Sequence, residues 1–186
     1  VYDQAGTTEL YGAAGPNIYE VTSSGAVGSA AVGSLSNARF SWTQIATSGG
    51  NFLWICNGED APRHYNGSAW ATPSLSGVTT STIASVTQHK TRLFFTFTNN
   101  LKFGYLAVNS VAGTVNLFDL TSLFNLGGLL QAIGTWTRDG GSGPDDLAVF
   151  ITTNGEVAVY SGTDPSDAAK WSLVGVFKIG RPIGKR

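Results

Sequence analysis

Residues 147–162, LAVFITTNGEVAVYSG, decide the fold. Leu147, Val149 and Ile151 fall on one face of an extended strand and Ala148, Phe150 and Thr152 on the other, because successive strand side chains alternate. Asn154-Gly155 then gives the strongest short-range hairpin signal, the glycine accepting the positive φ that the turn requires. Beyond it Val157 and Val159 share one face, while Glu156, Ala158 and Tyr160 take the other. Both faces are largely apolar and both need covering, as happens when a sheet lies between two others about 10 Å away.

The same pattern occurs three more times in degenerate form: LYGAAGPNIYEVTSSGAV from Leu10, FLWICNGEDAPRHYNGSAW from Phe52, and LFFTFTNNLKFGYLAVNSVAGTV from Leu93. Tyr19, Tyr65, Tyr105 and Tyr160 take equivalent places at a mean spacing of about 47 residues, uneven as surface insertions make it. Ahead of three copies stand ARFSWTQIAT, TIASVTQHKT and LLQAIGTWTR, each a further strand, which brings the unit to four. Four strands per repeat is the β-propeller number, whereas a β-sandwich shows a polar outer face and no such echo. The expectation is therefore an all-β chain forming a β-propeller of about four four-stranded blades, near 1–36, 37–80, 81–128 and 129–186. The three leading stretches become innermost strands, and NLFDLTSLF and KWSLVGVFKI the outer edges. Thr91-Arg92 and Thr137-Arg138 are expected at matching repeat positions. The absence of Met and the start at Val1 favour an arc of a larger propeller over a closed ring.

Composition agrees with short strands and tight turns: 24 Gly and 11% aromatics among 186 residues. Charged residues make up only 12% and the net charge is −1, so nothing in the bulk balance draws phosphate backbones or anionic lipid. Cys56 stands alone, which rules out an intrachain disulfide and any Cys-based zinc spacing. No apolar run approaches the roughly 20 residues of a membrane-spanning helix.

The stretch WTRDGGSGPDDLAVFITTNGEVAVYSGTDPSDAAKWSLVGVFKIGRPIGKR, residues 136–186, resembles tail-associated proteins of phages and prophages, with support from NGEDAPRHYNGSAW and TRLFFTF upstream. Short-tailed phages carry a β-propeller tail hub or nozzle below the portal. The resemblance implies a non-catalytic virion component of the tail or head–tail connection, made in the bacterial cytoplasm. Its partners would be copies of itself and other virion proteins, with DNA passing by without specific binding and no membrane involved. No cofactor and no catalytic motif come with it.

Individual side chains suggest further chemistry, each against a plainer structural use. Asp139, Asp145 and Asp146 flank a Gly-rich loop and offer oxygen ligands for Ca²⁺, though without EF-hand spacing, and Gly, Pro and Asp equally build a plain turn. Trp70 and Trp171 stand beside polar turns and could stack on sugar rings, the basis of an alternative carbohydrate-binding or adhesin role. Glu59, Asp60, Glu156 and Asp164 are the carboxylates available for a glycosidase-like pair. His64 is expected to cap a polar turn and His89 to face a channel or solvent, without a nucleophile elbow nearby. Cys56 lies in a dense apolar strand and reads as core. Arg39, Arg63, Lys90, Arg92, Arg138, Arg181, Lys185 and Arg186 read as scattered surface charge, some of it flanking the inner strands.

Overall fold

The computed structural model describes residues 1–4, 6–139 and 144–183. Among them the chain forms eighteen strands and one turn of 3-10 helix, Thr80–Thr82. Two short hairpins open it: β1 (Tyr2–Gln4) with β2 (Thr7–Glu9), and β3 (Tyr11–Ala14) with β4 (Asn17–Glu20), whose Ile18 also bridges Val32. Three antiparallel sheets of four strands follow. Sheet I holds β5 (Ser41–Thr47), β6 (Gly50–Cys56), β7 (Arg63–Tyr65) and β8 (Trp70–Ala71) in that spatial order. A strand β9 (Leu75–Ser76) leads on to sheet II, made of β10 (Ile83–His89), β11 (Arg92–Phe97), β12 (Lys102–Tyr105) and β14 (Asn116–Asp119). The intervening β13 (Gly113–Thr114) pairs in parallel with β9. Sheet III runs β15 (Leu130–Asp139), β16 (Pro144–Thr152), β17 (Glu156–Gly162), β18 (Trp171–Lys178).

The three stretches expected to lead each unit are the first strands of the three sheets, and Asn116–Asp119 and Trp171–Lys178 are outer edges of sheets II and III. Each sheet is a simple meander because its strands are joined by turns that local chemistry specifies. At Asn154-Gly155 the glycine has φ +86°, and at Asn66-Gly67 the glycine has φ +89° while the Asn66 side chain accepts from the amides of Ser68 and Ala69.

The sheets stack in chain order through their apolar faces. The hairpin β3–β4 and Tyr2 cover Leu53, Ile55 and Tyr65 of sheet I. The opposite face of sheet I, with Ile45, Trp54 and Cys56, packs on Val86, Leu93, Phe95 and Phe97 of sheet II. Phe94, Phe103 and Tyr105 on the far face of sheet II meet Ile133, Ala148, Phe150 and Trp171 of sheet III. The two-faced apolar pattern of residues 147–162 is thus realised, since Ala148, Phe150, Ala158 and Tyr160 fill that interface while Leu147, Val157 and Val159 form a separate cluster on the other side. First strands lie next to first strands: β10 packs against both β5 and β15. Between them Ser41 Oγ accepts from the Val86 amide at 3.1 Å, and Thr87 Oγ1 donates to the Ile133 carbonyl at 2.9 Å.

Two expectations about the repeat need correction. Tyr65 and Tyr160 point toward the preceding sheet, but Tyr105 points toward the following one, so it is not their equivalent. Tyr105 pairs with Phe94, and the residue opposite Phe95 on the Tyr65-like face is Gly104. A Cβ at Gly104 would come within 2.7 Å of Val115 and 2.8 Å of Phe97, so the large rings of β11 fill the place that a β12 side chain would take. A one-residue offset in a strand exchanges its faces, which a spacing count cannot see. Thr91-Arg92 and Thr137-Arg138 are likewise not equivalent: Thr91 lies in the β10–β11 turn, whereas Thr137 is inside β15, opposite Asp146.

Candidate functional site

The ends of the first strands surround a polar funnel of about 510 Å³. Ser41, Ser85 and Gln131 come from β5, β10 and β15, and Arg39, Asn57 and Glu59 from the segments beside them. Its polar groups are tied inward. Ser85 Oγ and Thr96 Oγ1 are 2.7 Å apart, and Asn57 donates through Nδ2 to Asp60 at 2.6 Å while its Oδ1 accepts from the Glu59 and Asp60 amides. Asp60 also accepts from the amide and hydroxyl of Ser36, both at 2.8 Å. Burial works against ionisation of Asp60, yet these hydrogen bonds and nearby Arg63 hold its carboxyl below the usual carboxylate range. Glu59 and Arg39 are the charged side chains that line the funnel.

The other carboxylates considered for acid–base work are spent on structure. Glu156 is buried and accepts from the amides of Asn125 (3.2 Å) and Leu126 (2.7 Å), fastening the segment before sheet III to its middle strand. Asp164 pairs with Arg92 at 3.0 Å and accepts from Ser166. Arg92, expected as surface charge, instead ties sheet II to sheet III, with its guanidinium 5.9 Å from the Tyr105 ring centroid. His89 does not face a channel or solvent. It is 2% exposed between Phe94 and Trp171, with Nδ1 3.0 Å from Thr135 Oγ1, and burial together with Lys90 lowers its pKa. His64 is a strand residue set edge-on to Phe52, not a turn cap, and burial lowers its pKa too. Cys56 is 1% exposed and burial pushes its thiol pKa up, as a core position requires.

Of the Ca²⁺ candidates, Asp139 and Asp145 have backbones in the β15–β16 ladder, but their side chains and residues 140–143 lie outside the described residues. Asp146 accepts from Thr137 Oγ1 at 2.7 Å. Among the described residues no three His, Cys, Asp or Glu side chains converge on a point. Lys185 and Arg186 also lie outside the described residues. Comparison with protein-family models, curated proteins and solved structures returns no match.

Trp171 is 5% exposed and stacked on Tyr160 at 5.2 Å, which leaves no ring face for a sugar. Trp70 is half-buried against Tyr65 and edge-on to Tyr11, and with Phe40 and Trp42 it borders a cleft of about 250 Å³ beneath β3. The tryptophans that are open are Trp42 and Trp136, whose sequence surroundings are apolar strand and give no sign of it. Trp136 belongs to the face of sheet III that carries Leu147, Val149 and Ile151, where Phe177 lies across Gly175. The signal for that face is present in the alternation of 147–159, but nothing in a single sequence says which of two apolar faces is left uncovered.

Proposed function

We propose that the chain is a run of β-propeller blades serving as a non-catalytic structural component of a phage or prophage virion, at the tail hub, nozzle or head–tail connection. The observation that carries the propeller half is the placing of β10 against both β5 and β15, since successive meanders with adjoining first strands are how blades are arranged about an axis. The virion half rests on the resemblance of residues 136–186 to tail-associated proteins. A structural role agrees with carboxylates and histidines used for internal hydrogen bonds and packing, and with a funnel whose charged lining is one Arg beside one Glu. Such a lining gives little electrostatic hold on passing DNA.

Antibody raised against the chain and applied to particles from an induced lysogen carrying its coding sequence is expected to label the tail vertex. Particles that lack the protein would overturn the proposal. The carbohydrate-binding alternative keeps one supporting feature, the aromatic cleft beside Trp70 and Trp42. A glycan-array signal abolished by Trp70→Ala would favour it over the virion role.

A further inference from the structure

Three interfaces inside the chain share one design: the apolar face of a sheet covered by the apolar face of the next, from β3–β4 through sheets I, II and III. Two faces of the series are left over. At the far end, sheet III presents Val149 and Ile151 flanked by Trp136, 64% exposed, and Phe177, 53% exposed. These four side chains stand on the face opposite the one packed on sheet II, by the register of Trp136 with Leu147 and of Phe177 with Val157. At the near end, the hairpin β3–β4 turns Gly12, Ala14 and Tyr19 outward, and with Val21 and Val27 they line a cleft of about 420 Å³.

We infer that these two faces bind each other between chains, so that a second copy of this protein seats its β3–β4 face on sheet III of the first. The inference rests on the propeller reading above and names the partner for it. Two features single out a second copy. The contact continues the stacking the chain already uses three times, and the two faces are complementary in relief, bulky rings on sheet III against a hollow floored by Gly12 and Ala14. Four strands about 4.8 Å apart and seven residues long at about 3.3 Å each give a footprint of ~450 Å², which side-chain relief enlarges. Such a patch lies in the upper part of the few hundred Å² that monomers leave bare, and approaches the ~800 Å² per partner of stable complexes.

Because the two faces differ, the association is head-to-tail, and it closes into a ring if the rotation between copies allows. Two copies of three sheets and one hairpin unit make eight units, inside the range of about four to eight blades that propellers adopt.

Light scattering coupled to size exclusion tests this. The unaltered chain at micromolar concentration is expected to run at a mass of two or more copies. Trp136→Glu with Phe177→Glu changes the sheet III face, and Ala14→Arg with Val27→Arg changes the hairpin face; all four positions are exposed, so each double variant keeps the fold by circular dichroism. Each variant alone is expected to be monomeric, and the two mixed are expected to form a one-to-one complex, since one intact face of each kind remains. A monomeric unaltered chain, oligomers that survive both pairs of changes, or a mixture that stays monomeric would overturn the inference. None of these results bears on particle labelling, so the virion reading fails or stands separately.

Discussion

Phe150→Ala removes the ring at the centre of the contact between sheets II and III. Phe150 is fully buried, 4.5 Å from Phe103 by ring centroid, edge-on to Tyr160 at 5.8 Å and to Trp171 at 6.3 Å. Burial of such a side chain is worth about 1.5–3 kcal/mol, and the ring pairing adds about 0.5–1.5 kcal/mol. With the cavity left behind, the expected loss is about 3–5 kcal/mol. In a chain of this length that lowers Tm by roughly 6–20 °C. Urea unfolding followed by tryptophan fluorescence measures it, with the midpoint falling and the m value unchanged. Phe177→Ala is the control, an aromatic ring on the bare face of the same sheet. In dilute protein it should change stability by no more than about 0.5 kcal/mol. A loss below about 1 kcal/mol for Phe150→Ala, or equal losses for the two, would refute the assignment of buried and bare faces to sheet III.

Gly104→Ala is expected to cost about 1–3 kcal/mol in the same assay, because its new methyl group meets Val115 and Phe97; a neutral result would mean that β12 does not approach them as described. Asp119 has its carboxyl pKa lowered to about 2, first by the hydroxyl and amide of Thr121, then with help from Lys102. Its folded pKa lies below the ordinary 3.8, so its contribution is complete above that pH and fades as pH falls toward 2; Asp119→Asn should therefore flatten the acid limb of a stability–pH curve in that window and leave its alkaline side unchanged. Cys56 should resist alkylation in native protein and react fully in urea; native-state labelling at an unfolded-chain rate would contradict its burial.

The architecture is legible wherever a local rule acts. The Asn-Gly turns, the leading strands and the edge strands all follow from turn chemistry and alternation, and each takes its expected place in a sheet. What stays hidden depends on register and on neighbours. Tyr105 matches its counterparts in spacing yet faces the other way, because one residue of offset in β12 is silent in composition. His89 reads as facing a channel or solvent because a lone polar residue at a strand end gives no hint of Thr135 across the interface. Trp171 stands beside polar residues in sequence and against Tyr160 in space. The candidate site is the least legible part for the same reason: Glu156 and Asp164 look available in the sequence, and their partners, about 30 and 70 residues distant, are brought to them only by the stacking of sheets.

The stacking order itself is the central claim, and aromatic nuclear Overhauser contacts test it most directly, in the monomeric variant Trp136→Glu with Phe177→Glu. Stacking in chain order predicts cross-peaks between Trp54 and Phe95 and between Phe103 and Phe150, whose ring centroids lie 5.0 and 4.5 Å apart, with none from Tyr65 to Phe150. Cross-peaks joining Tyr65 directly to Phe150 or Trp171 would put sheets I and III face to face, as in a two-layer sandwich, and would contradict it.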